Sequence, residues 1–295
     1  MIPFTVFHRW LFGFCMLLIG AVALAPKMAG AQSEPVDIAF QGLQQRLVTD
    51  GFDPERIGRI YASEEVRFDA DGIAWFFTYR ESKLNYDQFL SRASLRKAEA
   101  YQRKHDTALR EAEAHYGVDR HVITAILLVE TKLGTYLGNR AILNTLSTMA
   151  SLADPRVRER FWNSIEGKKR IGRKRFEEKA EAKSRWAYGE LKAFLQYAEA
   201  ENIDPLQTVG SLAGAMGISQ FMPSNALKLA EDGNGDGRVD LFDHADAIAS
   251  VANYLQHHGW RPGIGRDRAF KILLRYNYSK YYANTVLDIA DRLRG

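Results

Sequence analysis

Cysteine is nearly absent from this chain of 295 residues. The single cysteine, Cys15, lies in an apolar stretch near the N-terminus, and no other cysteine follows it. We therefore expect no disulfide bond and no metal site with cysteine ligands in the rest of the chain. A lipoprotein site needs small residues before its cysteine, whereas Phe14 stands there. The sequence therefore does not predict a lipid anchor.

Long hydrophobic runs are also scarce, and the one at the N-terminus has the features of a targeting segment. His8 and Arg9 precede an uncharged stretch from Trp10 to Ala25, and Ala29-Gly30-Ala31 then fits a signal-peptidase cleavage site. The stretch is short for a membrane-spanning helix. We predict a cleavable signal peptide over residues 1–31 and a periplasmic protein, with an uncleaved membrane anchor as the alternative.

A strong excess of one charge sign is missing as well. The formal net charge is +4, and loss of Arg9 and Lys27 with the signal peptide would lower it to about +2. No basic face dominates, so the sequence does not predict a nucleic-acid-binding protein. Within the basic stretch 166–185, a cluster from Lys168 to Arg175 would suit an anionic polymer or membrane surface. Three glutamates follow it by residue 181, which favours a solvated helix face.

Helical periodicity runs through most of the chain after the signal peptide, so the predicted fold class is mainly α. One segment, Val66 to Tyr79, alternates more and contains Asp69-Ala70-Asp71-Gly72, which predicts an extended stretch with a turn. Helices are predicted over 41–50, 54–61, 86–116, 119–130, 141–152, 243–258 and 268–294, and another is predicted to begin near Pro223. A long helical region over 160–197 is predicted to break around Gly167 and Gly172.

A single carboxylate follows the most apolar of these helices. The run Val122 to Val129 is apolar on nearly every helical face, which predicts a buried helix with Asp119 as its N-cap. Glu130 comes next. A buried, ionised glutamate is costly, and the usual relief is a raised pKa that suits a general acid. The alternative is an ordinary helix-end residue that faces solvent or an arginine.

A cation loop is predicted over residues 232–246. Oxygen-bearing side chains fall on alternate residues, and Gly237 at the sixth position permits the sharp turn of an EF-hand-like calcium loop. The alternative is a turn rich in aspartate, asparagine and glycine that binds no metal. The candidate ligands are the side-chain oxygens of Asp232, Asn234 and Asp236, the backbone carbonyl of Arg238, and a closing carboxylate.

The closing carboxylate of this loop is open between two residues. The twelfth position is Asp243, where an EF-hand has a longer, bidentate glutamate. Asp246 is the alternative if the loop is longer than the standard one. One such loop with a helix directly after it indicates a structural calcium site rather than a calcium sensor.

Four motifs follow one another along the chain. They are Val129–Gly134; Gly210–Gly217 with Gln220–Ser224; the cation loop with Asp246–Leu255 and Gly259-Trp260; and Arg275–Asn277 with Tyr282. In this order they resemble the lytic murein transglycosylase B family of bacterial peptidoglycan-cleaving enzymes, and the resemblance covers nearly all of 36–293. Two departures are a short segment between Gly-Trp and Arg-Tyr-Asn, and the basic stretch 166–185, which the family pattern lacks.

The resemblance implies an N-terminal helical subdomain over 32–116 and a lysozyme-like catalytic core with the cation loop over 117–295. It implies a lyase that cleaves the β-1,4 bond between N-acetylmuramic acid and N-acetylglucosamine without water and leaves a 1,6-anhydro-muramyl end. Glu130 matches the family's single catalytic carboxylate, and the long loop of the family favours Asp246 as the last calcium ligand. The substrate-site positions match Ser211, Gln220, Tyr276, Asn277 and Tyr282.

The expected ligands and partners follow from the same resemblance. The expected ligand is structural calcium, without an organic cofactor. The expected partners are the glycan strands of peptidoglycan and proteins of cell-wall synthesis or remodelling. The protein is expected to be a monomer. Two other functions stay open. A hydrolytic muramidase needs a second carboxylate, and a non-catalytic peptidoglycan-binding protein needs none. Ordinary roles also stay open for the site residues: tight packing for Ser211, the core for Tyr276, and buried, satisfied amides for Gln220 and Asn277.

Overall fold

The computed structural model of the protein describes residues 36–78, 85–165 and 171–295. The predicted signal peptide and residues 168–170 of the basic cluster lie outside those ranges. No helix within the described ranges is long and apolar enough to cross a membrane.

Helices account for most of the described residues, which confirms the mainly α prediction. In chain order they are α1 (Val36–Thr49), α2 (Pro54–Tyr61), α3 (Ala70–Thr78), a 3₁₀ helix (Tyr86–Leu90), α4 (Arg92–Lys104), α5 (Asp106–Tyr116), α6 (Arg120–Thr131), α7 (Ile142–Ser151), α8 (Pro155–Ser164), α9 (Arg173–Ala200), α10 (Pro223–Leu229), α11 (His244–His257), α12 (Arg266–Tyr276) and α13 (Lys280–Arg294).

The chain forms two compact units, each built from separated segments. The described part of the first unit comprises 85–138 and 215–295, and that of the second comprises 36–78, 139–165 and 171–214. The predicted subdomain boundary between residues 116 and 117 falls inside the first unit, because α5 packs against both α6 and α11. The compact units therefore divide the chain differently from the predicted subdomains.

Helix α6 forms the centre of the first unit. It packs against α4, α5, α11 and α13, and all residues from Val122 to Thr131 are buried, as the apolar run predicts. The Asp119 side chain accepts a hydrogen bond from the His121 amide at 2.7 Å and caps the helix, which confirms the predicted N-cap.

Helix α7 has the corresponding place in the second unit. It packs against α1, α3 and α9, and every residue from Ile142 to Ser151 is buried. A short antiparallel pair joins β1 (Arg140–Ala141) to β2 (Val209–Gly210), with Arg140 opposite Gly210. The pair thus brings the start of α7 next to the segment that leads out of the unit.

Three local predictions are wrong. The predicted helix over 86–116 is the 3₁₀ helix followed by α4 and α5, because the Ser91 side chain accepts from the Ser94 amide at 3.3 Å and starts a new helix. Residues 70–78 form α3 rather than an extended stretch, because the Asp69 side chain accepts from the Gly72 amide at 3.0 Å and starts a helix there. The predicted helix over 268–294 is two helices. Asn277 has extended backbone angles that end α12, and the Ser279 hydroxyl accepts from the Tyr282 amide at 3.3 Å and caps α13.

Candidate active site

Glu130 stands at the C-terminal end of α6 and is 2 % exposed. The helix ends one residue later, at Thr131, because Lys132, Leu133 and Gly134 all have positive φ angles, of 51°, 64° and 82°. The Lys132 amide still donates to the Leu128 carbonyl at 3.0 Å. The chain therefore leaves the helix through a tight left-handed turn. This turn fixes the position of Glu130 at the end of the helix.

Thr131 joins this helix end to a second segment of the first unit. Its hydroxyl donates to the Ile218 carbonyl at 2.9 Å and accepts from the Gly134 amide at 3.0 Å. Its side chain is fully buried. One hydroxyl therefore links the helix, the turn that follows it and a segment nearly 90 positions later in the sequence.

The segment that Thr131 contacts is a tight turn, which we call the Gln220 turn (residues 217–221). Met216, directly before the turn, and Phe221, at its end, are joined by two hydrogen bonds of 2.9 and 3.1 Å. Gly217 has a φ of +72°, and a Cβ atom there would lie 2.4 Å from the Leu241 carbonyl oxygen. A side chain is thus excluded by close backbone approach, as the glycine-rich sequence indicates.

Gln220 itself is strained and nearly buried. It has a φ of 51° and is 8 % exposed. Its side-chain amide donates to the Gly217 carbonyl at 2.9 Å and, over a longer distance of 3.4 Å, to the Leu137 carbonyl. Left-handed backbone in a residue other than glycine is uncommon and concentrates at functional sites. The turn therefore presents Gln220 in one defined orientation.

The remaining predicted residues of the first unit lie at the junction of α12 and α13. The half-buried Tyr276 donates its phenolic hydrogen to the Ser219 carbonyl at 2.6 Å, and its ring stacks on Tyr282 with centroids 6.3 Å apart. Tyr282 is 1 % exposed and Asn277 is 3 % exposed. Tyr276 and Thr131, the neighbour of Glu130, therefore both hydrogen-bond to the Gln220 turn, and Asn277 and Tyr282 are buried residues of the same unit.

Ser211 belongs to the second unit, where it follows β2 directly. It is 9 % exposed. Its hydroxyl accepts from the Ala213 amide at 3.3 Å, and its carbonyl accepts from Gly214 at 3.0 Å. Within that unit these contacts place Ser211 in a small turn.

The cation loop is organised around Asp246. This side chain is 1 % exposed, and its oxygens accept from the amides of Gly233 at 2.9 Å, Asn234 at 3.3 Å and Asp240 at 2.7 Å. Burial raises the pKa of Asp246, while these three amides act in the opposite direction. Asp243 instead caps α11 by accepting from the Ala245 amide at 2.7 Å.

The other candidate ligands also accept hydrogen bonds from amides within the loop. Asp232 accepts from Gly237 at 2.8 Å, and the Asn234 side chain accepts from Asp236 at 2.9 Å. The donor set consists of oxygen atoms, which is the chemistry that calcium requires. Within the described residues, however, no group of three or more histidine, cysteine, aspartate or glutamate side chains is arranged to hold a metal ion.

Two hydroxyl residues at this site carry no role in the sequence prediction. Thr131 lies within the first motif, directly after Glu130. Ser219 precedes Gln220, and its buried hydroxyl oxygen has no hydrogen-bond partner among the described residues. A signal was present in both cases, since each is a hydroxyl residue beside a predicted site residue. The partners of Thr131 depend on long-range contacts that no local pattern reveals.

Known proteins are similar to this chain in sequence and in fold. The chain is 36% identical over 176 residues to the membrane-bound lytic murein transglycosylase B of Escherichia coli strain K12, an alignment that covers 60% of this chain. It spans 41% of the length of that relative.

Solved structures are similar over more of the chain. SltB3 from Pseudomonas aeruginosa, in complex with NAG-anhNAM-pentapeptide, matches with a TM-score of 0.71 and 22% identity over 90% of this chain and 80% of its own. The lytic transglycosylase Slt35 of Escherichia coli, in complex with calcium, matches with a TM-score of 0.66 and 24% identity over 87% of this chain and 92% of its own. These similarities confirm the predicted lysozyme-like fold.

A comparison with protein families also covers most of the chain. The family described as "Transglycosylase SLT domain" matches residues 36–269. This range includes Glu130, the Gln220 turn and the whole cation loop. The chain therefore belongs to the transglycosylase SLT domain family.

Proposed function

We propose that this protein is a lytic transglycosylase that cleaves the glycan strands of peptidoglycan, with Glu130 as its single acid and base. The observation that carries the proposal is a glutamate, 2 % exposed, at the end of a buried helix. Membership of the transglycosylase SLT domain family and the similarity to the murein transglycosylase of Escherichia coli support the same reaction.

The reaction needs one carboxyl group that acts twice. Glu130 first donates its proton to the oxygen of the β-1,4 bond between N-acetylmuramic acid and N-acetylglucosamine, and that bond breaks. The 6-hydroxyl of the muramyl sugar then attacks C1 and gives its proton to the Glu130 carboxylate, which closes the 1,6-anhydro ring. No water is consumed, and the enzyme ends in its starting protonation state.

The surroundings of Glu130 suit the first step. Burial disfavours the charged form of a carboxyl group and so favours a proton donor near neutral pH. Ordinary glycosidases need a second carboxylate to activate water or to act as nucleophile. In the proposed reaction the nucleophile is the hydroxyl of the sugar itself, so one carboxyl group is sufficient.

The substrate-binding roles extend the same proposal. Gln220 and Asn277 carry amide groups suited to sugar hydroxyls, and Tyr276 and Tyr282 carry rings that suit sugar faces. Ser211 would hydrogen-bond an acetamido group. Alanine substitution of a true contact residue should raise KM for glycan strands, whereas substitution of a packing residue should lower the melting temperature at unchanged KM.

The substitution Glu130→Gln tests the catalytic assignment. It keeps the shape of the side chain and removes the transferable proton, so lysis of purified sacculi should fall by a factor of roughly 10² to 10⁴. Mass spectrometry of the wild-type products should show anhydro ends, which are one water lighter than reducing ends. A matched control is Glu190→Gln, since Glu190 is the other buried glutamate among the described residues.

Each outcome of that experiment has one meaning. Reducing ends from the wild-type protein would indicate a hydrolytic muramidase. Binding to sacculi without any product would indicate a non-catalytic peptidoglycan-binding protein. Full activity of Glu130→Gln would overturn the assignment of Glu130.

We also propose that the cation loop binds calcium, with Asp246 rather than Asp243 as the closing ligand. The Asp246 carboxylate accepts hydrogen bonds from loop amides, whereas that of Asp243 caps α11, and a similar structure was solved in complex with calcium. The expected ligands also include Asp232, Asn234, Asp236 and the carbonyl of Arg238. Calorimetric titration of chelated protein should detect binding, which Asp236→Ala should weaken and Asp267→Ala should not. Absence of binding at millimolar calcium would contradict this proposal.

Export of the protein to the periplasm completes the proposal, because its substrate lies there. The predicted signal peptide should be removed after Ala31. N-terminal sequencing of the exported protein should therefore begin at Gln32, and an intact N-terminus in the membrane fraction would show an uncleaved anchor instead.

A further inference from the structure

The end of α6 is held by one hydroxyl group rather than by apolar packing alone. The buried Thr131 hydroxyl contacts the Leu127 carbonyl within the helix at 3.3 Å, but its shorter hydrogen bond, of 2.9 Å, goes to the Ile218 carbonyl. A threonine inside a helix commonly bonds only to its own helix. Here the better bond leaves the helix and reaches the Gln220 turn.

The same oxygen also holds the chain that follows Glu130. It accepts from the Gly134 amide at 3.0 Å, so it controls the left-handed turn at residues 132–134. Gly134 itself is confined from the other side, since a Cβ there would lie 3.0 Å from the His244 ring. A single oxygen therefore fixes the backbone on the C-terminal side of Glu130.

The Gln220 turn is a rigid partner for this contact. The Ile218 amide donates to the Leu241 carbonyl at 2.8 Å, and the Ser219 carbonyl accepts from the Tyr276 hydroxyl at 2.6 Å. The turn is thus held at successive residues by separate elements of the same unit. The Thr131 hydroxyl is hydrogen-bonded to this turn, so the end of α6 is held in a fixed position as well.

We propose that Thr131 is a positioning residue, whose hydroxyl fixes the Glu130 carboxyl relative to the Gln220 turn for proton transfer. This inference rests on the proposed function, since it takes Glu130 to be the acid. Proton transfer depends steeply on the distance and direction between donor and acceptor. Loss of the hydroxyl should therefore slow the chemical step and leave ground-state binding of the glycan nearly unchanged.

The test compares Thr131→Val with Thr131→Ser on soluble, uncrosslinked glycan strands. Valine keeps the branched shape and removes the three contacts of the hydroxyl, with Leu127, Ile218 and Gly134. The kcat should therefore fall between about tenfold and a hundredfold, with KM within about twofold. Serine restores the hydroxyl and should return most of the lost kcat. A wild-type kcat for Thr131→Val, or an equal loss for Thr131→Ser, would overturn the inference.

The matched control is Thr124→Val on the same helix. Thr124 is also fully buried, and its hydroxyl donates to the Arg120 carbonyl at 2.8 Å and accepts from the Gln102 side chain at 3.2 Å. Its replacement should lower stability and leave kcat unchanged. An equal loss of kcat in this variant would show that any buried threonine of α6 has the same effect, which would also overturn the inference.

Hydrogen exchange tests the contact without any variant. The Gly134 amide should exchange slowly in the wild-type protein because it donates to the Thr131 hydroxyl, and fast exchange would contradict the geometry. A wild-type protein without lytic activity would instead refute the proposed function. An active wild type with an inactive Glu130→Gln and a normal Thr131→Val would refute the positioning role alone.

Discussion

Two central helices, α6 in the first unit and α7 in the second, are buried over ten consecutive residues each and accommodate their polar residues in different ways. In α7 the polar side chains are neutral, and three of them form hydrogen bonds with residues 61–69. The buried Thr145 hydroxyl has no partner among the described residues. Asn144 accepts from the Arg67 amide at 3.1 Å and donates to the Glu65 carbonyl at 2.8 Å. Thr148 accepts from the Asp69 amide at 2.9 Å. The Tyr61 and Ser147 hydroxyls lie 2.7 Å apart.

The polar residues of α7 therefore hold the segment between α2 and α3, which has no regular structure of its own. Buried polar groups of this kind lower the free energy of the fold when all their partners are present. In α6, by contrast, an ionisable carboxyl stands at the helix end. The comparison indicates that burial of neutral polar groups stabilises the second unit, whereas under the proposed function the buried carboxyl of the first unit is there for proton transfer.

The largest expected difference concerns Glu130→Gln. Lytic activity should fall by a factor of roughly 10² to 10⁴, whereas the free energy of unfolding should stay equal or rise, because a neutral amide costs less to bury than an ionisable carboxyl group. Urea denaturation of both proteins measures this. A loss of stability as large as that expected for the α7 variant described next would contradict the difference between the two helices.

The corresponding change in α7 is Asn144→Leu. It should lower the free energy of unfolding by about 2–4 kcal/mol, since two backbone groups lose their partner. Activity per folded molecule should remain at the wild-type level. Asn163→Leu, at an exposed position of α8, is the control and should change stability by no more than about 0.5 kcal/mol. Reduced specific activity in folded Asn144→Leu would contradict a purely structural role for α7.

The smallest expected effect is a loss of stability in acid. Measuring it separates acid-induced unfolding from a loss of catalysis at the same pH. Burial, followed by the nearby charges of His257 and Arg275, lowers the pKa of His258 from 6.5 to about 4. The unfolded chain therefore binds a proton near pH 6.5 that the folded protein takes up only near pH 4. Stability should be full above pH 6.5 and fall as the pH drops through this window.

The measurement is the free energy of unfolding at pH 7 and pH 4.5. The contribution of the half-buried His258 should be on the order of 1 kcal/mol, so His258→Gln should reduce the acid-induced loss by that amount. Part of the loss should remain, because burial also lowers the pKa of His105 to about 4. The exposed His115 is the control position. An unchanged loss in His258→Gln would contradict the assignment.

Local patterns were sufficient for much of this structure. The buried helix before Glu130 and its cap at Asp119 follow from residues that are neighbours in sequence. The turn chemistry of Asp69-Ala70-Asp71-Gly72 was misleading, because an aspartate that begins a turn and one that caps a helix look alike in sequence. The bond between Thr131 and Ile218 could not be predicted, since it depends on how distant segments pack.

The same limit applies to the binding residues and to the loop. The motifs named Gln220 and Tyr276, but only the structure reveals that the side chains of both contact backbone carbonyls of one turn. For the loop, the alternation of oxygens identified the candidate ligands. The sequence could not distinguish Asp243 from Asp246. In the structure Asp243 caps a helix, whereas Asp246 accepts hydrogen bonds from loop amides.

The discontinuous first unit has a consequence for the order of biosynthesis. Helix α6 packs against α11 and α13, which leave the ribosome after the whole later part of the second unit, residues 139–214, has been made. Until then, the apolar surface of α6 has no complete core to enter. The first unit can therefore mature only when the chain is almost finished. A nascent or truncated chain that ends near residue 214 should be a substrate for chaperones and proteases.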